Sequence, residues 1–333
     1  MTTIKDIAKL ADVSIATVSR VLNNSKPVSF EVRDKVLRLL AETGYHPNAI
    51  ARSLVSKETH IIGVMIPDLA NDNFAHLIKG IESVLGTYGY SIFLAITGGK
   101  TEKEIKYFQL FKEKQLDGVI LSGVQYVEEH ENFFKNNQIP LVAVGQEFSQ
   151  YAIPSANVDN VAAAFDATQY LLEQGHRRIA FISAPLNDQA AGMDRLLGFK
   201  KALMEYQCPV AADWILEGDF TPGSGYRAME RLLQIDKRPT AVFVAADRMC
   251  TGAMNCLYDY GLQVPEDMSL IGFDDIELAS LVRPALTTIH VDPFEFGRTA
   301  SHLLLSLLKE EAVENKVVLP HRIVVRQTVK ALR

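Results

Sequence analysis

The side chains that invite a chemical reading lie near the start of the chain. Ile15, Ala16, Thr17, Ser19, Arg20 and Asn23 share one side of a short amphipathic segment, opposite Val18, Val21 and Leu22. A purely structural helix would more often present Glu and Lys there. Small hydroxyls, an amide and a guanidinium suit phosphate oxygens and base edges in a DNA major groove. Enzyme chemistry finds less support. Gly99-Lys100-Thr101 resembles the end of a phosphate loop, but Leu94 stands where the earlier glycine is needed. Gly223-x-Gly225-x-x-Ala228 opens a helix-like stretch as a dinucleotide fingerprint would, yet no acidic residue in a clear strand context follows at the right distance. There is no Gly-x-Ser-x-Gly elbow, and the eight histidines make no metal-ligand spacing. Asp274 and Asp275 could pass for a carboxylate pair, but adjacent residues rarely point into one cleft. The expectation is no catalytic residue, no metal and no cofactor.

The elements that would position the first group follow from periodicity. Thr3 followed by Asp6 makes a capping-box-like start, and Ile4, Ile7, Ala8 and Ala11 then share a helical face. Asp12-Val13 breaks that helix, and Ser14 is a good N-cap for a second one. After the loop Asn23 to Pro27, Ser29 is placed to cap a third helix with Val32, Val36, Leu39 and Leu40 inward, closed by Gly44. Three short helices, the first two joined by a tight turn, describe a helix-turn-helix.

From residue 60 onward, strand-like and helix-like segments alternate. Ile61–Ile66, Ser91–Ile96, Gly118–Ser122, Leu141–Val144, Ile179–Ser183, Ala241–Ala245 and Ser269–Phe273 read as short apolar strands. Helical patterns lie between them, such as 74–88, 102–114, 159–174, 193–206, 222–234 and 247–260. Such alternation predicts parallel sheets covered by helices, and about 270 residues exceed one doubly wound sheet, so two lobes are expected. Ligands in such folds sit outside the carboxyl ends of the strands.

Composition agrees with two or more globular domains. The 333 residues are 48% hydrophobic and 22% charged, which excludes a disordered, collagen-like or coiled-coil chain. The net charge of -6 is uneven: residues 1–60 hold nine Lys/Arg and six Asp/Glu, leaving the body acidic. A mildly basic head on an acidic body fits a nucleic-acid partner for the head alone. No apolar run approaches the roughly 18 residues of a membrane span. Three cysteines (Cys208, Cys250, Cys256) form no disulfide framework, and the N-terminus lacks the apolar core of an export signal. A cytoplasmic protein with no membrane partner is expected.

Residues 4–54 resemble the headpiece of the lactose-repressor (LacI/GalR) family. The resemblance rests on Ile-Lys-Asp-Ile-Ala-Lys-Leu-Ala-Asp-Val-Ser-Ile-Ala-Thr-Val-Ser-Arg-Val-Leu-Asn and on Gly-Tyr-His-Pro-Asn-Ala-Ile-Ala-Arg-Ser-Leu. It continues through 175–182, 217–220, 239–247, 271–275 and 286–289, so it covers nearly the whole chain. It implies a helix-turn-helix headpiece, residues 1–57, and a body, 60–333, similar to periplasmic sugar-binding proteins. The body would have two lobes, approximately 60–158 plus 291–318 and 159–290 plus 319–333, with three crossings. It implies a homodimer on a pseudo-palindromic double-stranded operator, with DNA contacts from Thr3, Ser14, Ile15, Ala16, Thr17, Ser19, Arg20, Asn23, Ser29, Tyr45, Asn48, Ala51 and Leu54. A hinge helix, 48–54, would form on DNA behind Pro47 and wedge Leu54 into the minor groove. So short a segment is not a stable helix unaided, and an apolar wedge kinks the duplex.

The resemblance also implies an effector between the lobes. Arg195 would clamp hydroxyls, Asp274 would accept from paired hydroxyls, and Phe220 would lie against a sugar ring. Asp72 and Phe74 would occupy the first lobe's contact loop, and Asp247 is a further candidate that could equally cap its helix. Departures from the family pattern bear on the ligand. Ala246 replaces a common amide or hydroxyl, and Val291 a common Gln. Gln189 and Ala191 depart from the purine-responsive branch, which favours a sugar. The stretch 159–168 is similar to maltose-type repressors of Gram-positive bacteria. The implied function is a DNA-binding transcriptional regulator, a repressor of carbohydrate-utilisation genes controlled by a sugar or sugar derivative. The alternative is a catabolite-control regulator whose corepressor is a phosphorylated partner protein.

Overall fold

The computed structural model describes residues 2–23, 26–44, 58–123, 127–137, 139–148 and 151–332. The chain divides into two units, Met1–Thr59 and His60–Arg333.

In the first unit, α1 (Ile4–Ala11), α2 (Ile15–Asn23) and α3 (Phe30–Thr43) surround a small core. Ile7, Ala8, Ala11, Val18, Val21 and Val36 are buried, with Ile4, Leu22, Val32, Leu39 and Leu40 partly buried against them. Helical spacing brings these side chains to one face of each helix, so local periodicity is enough to build this core. Thr3 and Asp6 form a reciprocal capping box at α1, and Asp12, at φ 57, ends it in the left-handed region. Ser14 Oγ accepts from Thr17 N at 3.1 Å and opens α2. Ser29 precedes α3 but makes no side-chain capping bond, contrary to the expected role. Gly44, at φ 60, closes α3.

The described residues of the second unit form two six-stranded sheets. One has the order β11-β5-β4-β3-β1-β2, the other β12-β10-β9-β8-β6-β7. The strands are β1 (Ile61–Ile66), β2 (Ser91–Ile96), β3 (Gly118–Leu121), β4 (Leu141–Val144), β5 (Ser155–Val158) and β6 (Ile179–Ser183). They continue with β7 (Ile215–Glu217), β8 (Ala241–Val244), β9 (Ser269–Asp274), β10 (Thr287–His290), β11 (Lys316–Leu319) and β12 (Arg322–Val324). All pairings are parallel except β10 with β12. Five of these strands escape a search for apolar runs. β5 carries Ser and Asn, β10 carries two Thr and a His, and β7, β11 and β12 are three or four residues at or near sheet edges. Backbone pairing with a neighbouring strand, parallel for all but β12, places them rather than side-chain hydrophobicity.

The helices of this unit are α4 (Asp72–Leu85), α5 (Thr101–Glu113), α6 (Glu128–Asn136), α7 (Asn160–Glu173), α8 (Arg195–Glu205), α9 (Pro222–Leu233), α10 (Asp247–Asp259), α11 (Glu277–Leu281) and α12 (Pro293–Leu308). The chain passes between the lobes after β5, after β10 and after β11. Helices α9 and α10 meet with almost no side chain between them. A Cβ on Gly225 would stand 1.9 Å from Met249 O, and one on Gly252 would stand 1.8 Å from Pro222 O. The glycines that resemble a dinucleotide fingerprint thus include one required for close helix packing.

Candidate functional site

In each sheet the strand order reverses at one place, between β1 and β3 in the first and between β6 and β8 in the second. Loops at the carboxyl ends of these strands line a cavity of about 750 Å³ between the lobes, where a doubly wound sheet offers its binding crevice.

Asp188 caps a π-helical turn, Gln189–Asp194, whose end delivers Arg195 as the first residue of α8. Arg195 is buried, 8% exposed. Its Nε donates to Asn160 Oδ1 at 2.8 Å and its Nη1 to Ala245 O at 2.6 Å. The guanidinium carbon lies 3.4 Å from the centre of the Phe273 ring. These contacts fix the plane of the fork and leave further N–H groups to bind a ligand. Burial lowers the Arg195 pKa, opposed by the carboxylates of Asp274, Asp188, Asp247 and Asp194.

Asp274 ends β9 at φ 114, a backbone region that side chains rarely adopt. Withdrawal from water pushes its carboxyl up to about 6, against the opposing pull of Arg195 and a hydrogen bond from Asn73. Asn73 belongs to α4 of the first lobe, so this contact spans the cleft. Two more do so: Gln146 Nε2 donates to the buried Asp188 Oδ1 at 2.8 Å, and Arg248 Nη1 meets Asp68 Oδ2 at 3.3 Å. Phe74, Phe220 and Phe296, with Val144, Val158 and Val291, supply apolar wall.

Arg195, Asp274, Phe220 and Phe74 therefore share one cavity. Two candidates do not. Asp72 is exposed at the start of α4 and does not line the cavity; its neighbours Asn71, Asn73 and Phe74 do, because the helix turns Asp72 to the outside. Asp247 is fully buried behind the cleft. Its Oδ1 accepts from Thr288 Oγ1 at 2.6 Å and its Oδ2 from Ile276 N at 3.1 Å. It is not a helix cap either, since Ala246 holds that position. Its carboxylate instead ties β10 to the turn after Asp274. Burial raises its pKa well above the ordinary value, with Asp274 adding to the rise. Gly272 is required beside it, because a Cβ there would stand 2.1 Å from Asp247 Oδ1.

Sequence reasoning missed Asn73, Gln146, Asn160 and Asp188. Gln146, Asn160 and Asp188 follow the ends of β4, β5 and β6, so the strand-end rule could have found them.

On α2, Ile15, Ala16 and Arg20 are exposed, as is Ser14 just before it; Thr17 and Ser19 are half-buried. Thr17 and Ser14 share a hydroxyl contact of 2.9 Å. Asn23 ends the helix, Thr3 is engaged in the α1 cap, and Ser29 is exposed before α3. Tyr45, Asn48, Ala51 and Leu54, with the whole expected hinge helix, lie outside the described residues.

Known proteins resemble both parts. The pattern defining bacterial regulatory proteins of the lacI family matches residues 3–48, and that of a periplasmic binding protein-like domain matches 168–329. Catabolite control protein A of Priestia megaterium is 41% identical, over 98% of this chain and 99% of that protein. The chain belongs to the LacI family. Within that family, the transcriptional repressor PurR of Vibrio campbellii is 38% identical over the full length of both chains. The structure of a lac repressor dimer bound to operator and the anti-inducer ONPF matches with a TM-score of 0.91 and 30% identity, over 99% of both chains. A complex of the regulator CelR with cellobiose matches at 0.76 and 29%, over 99% of this chain and 100% of that one. As a LacI-family member the chain is a DNA-binding transcriptional regulator and not an enzyme. Among the described residues no helix is long and apolar enough to cross a membrane.

Proposed function

We propose that this LacI-family regulator is a homodimeric repressor of carbohydrate-utilisation genes, acting in the cytoplasm and controlled by a sugar or sugar derivative bound between the lobes. The observation that carries this reading is the convergence of Arg195, Asp274 and Asn73 with Phe74 and Phe220 in one cavity. Polar groups that fix orientation, set in a mostly apolar wall, are what a small-molecule site needs. Each headpiece places α2 in the major groove of a half-site, with Ile15 and Ala16 as sequence readers and Arg20 on phosphate or guanine. Neither Ile15 nor Ala16 can hydrogen-bond through its side chain, so they read thymine methyls or exclude bulk. Residues 48–54 form the hinge, with Leu54 as the minor-groove wedge, between a headpiece of 1–57 and an effector body of 60–333.

Control follows from linkage. A ligand shifts the operator-bound population only by its differential affinity for the two lobe arrangements. An effector that stabilises the arrangement with melted hinges induces; one that stabilises formed hinges corepresses.

A second reading is a catabolite-control regulator that answers to a phosphorylated partner protein, supported by the 41% identity to catabolite control protein A. Fluorescence anisotropy on a labelled pseudo-palindrome with a central C-G step, at stated salt, separates the two. Release or tightening by one sugar supports the first reading. Tight binding indifferent to mono- and disaccharides, sugar phosphates and purines supports the second.

A further inference from the structure

Given the cleft as the effector site, we infer that it is built for an uncharged, polyhydroxylated ligand and rejects the phosphorylated or carboxylated form of the same sugar. Among the described residues that line the cavity, four are carboxylates, Asp68, Asp188, Asp219 and Asp274, two are guanidiniums, Arg195 and Arg248, and none is Lys or His. Both guanidiniums already face carboxylates. Arg248 pairs with Asp68 across the rim, and Arg195 sits in the field of Asp274 and Asp188. An anion brought to Arg195 would come to rest beside two carboxylates in a region withdrawn from water, where like charges repel far more than in bulk.

Helix N-termini, the other common means of holding an anion, carry side-chain caps at most places around the cavity, the uncapped exception being α5, just after the lining Gly98 and Gly99. Asn71 accepts from Asn73 N at α4, Asp188 from Ala191 N at the π-helical turn, Thr221 from Ser224 N at α9, and Asp292 from Phe294 N and Glu295 N at α12. At α10 the first turn already holds the buried carboxylate of Asp247. What remains is a set of groups suited to hydroxyls. The carboxylates of Asp274 and Asp188 accept, the amides of Asn73, Gln146 and Asn160 do both, and the spare N–H groups of Arg195 donate. Phe74, Phe220 and Phe296 can cover the apolar faces of a sugar ring.

The test uses the full chain and calorimetry with matched pairs: glucose and glucose 6-phosphate, trehalose and trehalose 6-phosphate, maltose and maltose 6′-phosphate, with gluconate and hypoxanthine as further probes. The expected result is one neutral sugar bound, with its phosphate weaker by about a hundredfold or more. Asp188→Asn should narrow that ratio by about tenfold, whatever it does to the neutral sugar itself. Where Asp188→Asn fails to fold, Asp274→Asn serves the same comparison. Equal or tighter binding of a phosphate overturns the inference while leaving the sugar-effector reading intact. So does a ratio unmoved by the substitution, since exclusion would then be steric. Binding of hypoxanthine, or of no probe at all, overturns both.

Discussion

Arg326 donates through Nη2 to Asp275 Oδ1 at 2.6 Å, one residue beyond the carboxylate that faces the cleft. His290 Nδ1 meets the other oxygen at 2.9 Å. Asp274 and Asp275 both have positive φ, 114° and 60°. Two such residues in succession persist only where the surroundings hold them, since each costs about 1–3 kcal/mol. The clamp comes from β10 and from the segment after β12, so the aim of Asp274 depends on residues outside the cavity.

Replacing Arg326 by Gln should therefore weaken effector binding by about tenfold and cost about 1–3 kcal/mol of stability. Operator affinity without effector should be unchanged. Calorimetry with the effector, beside denaturant unfolding, checks this; a stability loss with full effector affinity would make Arg326 structural only.

The Asp274 carboxyl, pushed up to about 6, sets a pH dependence. Hydroxyls donated to Asp274 favour its ionised form, so bound effector pulls the pKa down and binding releases a proton. Effector affinity should be full above pH 7 and fall below pH 6, approaching tenfold per pH unit. A titration series from pH 5 to 8 without DNA reads this directly, and a flat profile would remove Asp274 as an acceptor.

Arg195→Lys keeps the charge but loses the fork that reaches Asn160 Oδ1 and Ala245 O. Two buried acceptors then lose a donor, at about 1–3 kcal/mol each. The effector response should fall by at least about tenfold while operator binding in its absence survives. An intact response in anisotropy competition would displace Arg195 from the ligand contacts.

In the headpiece, Ile15→Ala should weaken operator binding by about 1 kcal/mol, mainly on sites with a thymine at the contacted step. Leu54→Ala should lose operator affinity more evenly across sequences while sugar binding stays intact. Affinity across an operator panel distinguishes the two patterns, and unchanged binding by Leu54→Ala would remove the wedge.

Much of this was legible in the residues. The core of α1 to α3 is a set of spacings within short segments, and the strong strands of the body are apolar runs that parallel pairing buries on both faces. Such patterns record which face of an element leaves water, and that is a local property. Together with the family resemblance they brought out the helix-turn-helix, the two-lobed α/β body, and Arg195, Asp274 and Phe220. Only the tertiary structure could decide what converges. Gln146 and Asp188 stand 42 residues apart, and they meet because two sheets present their carboxyl ends to each other. Asp247 shares the strand-end position of a ligand contact, yet its carboxylate is occupied by Thr288 Oγ1 and Ile276 N, 41 and 29 residues away. A residue type at a strand end states what bond it can make, and packing across the lobes chooses the partner.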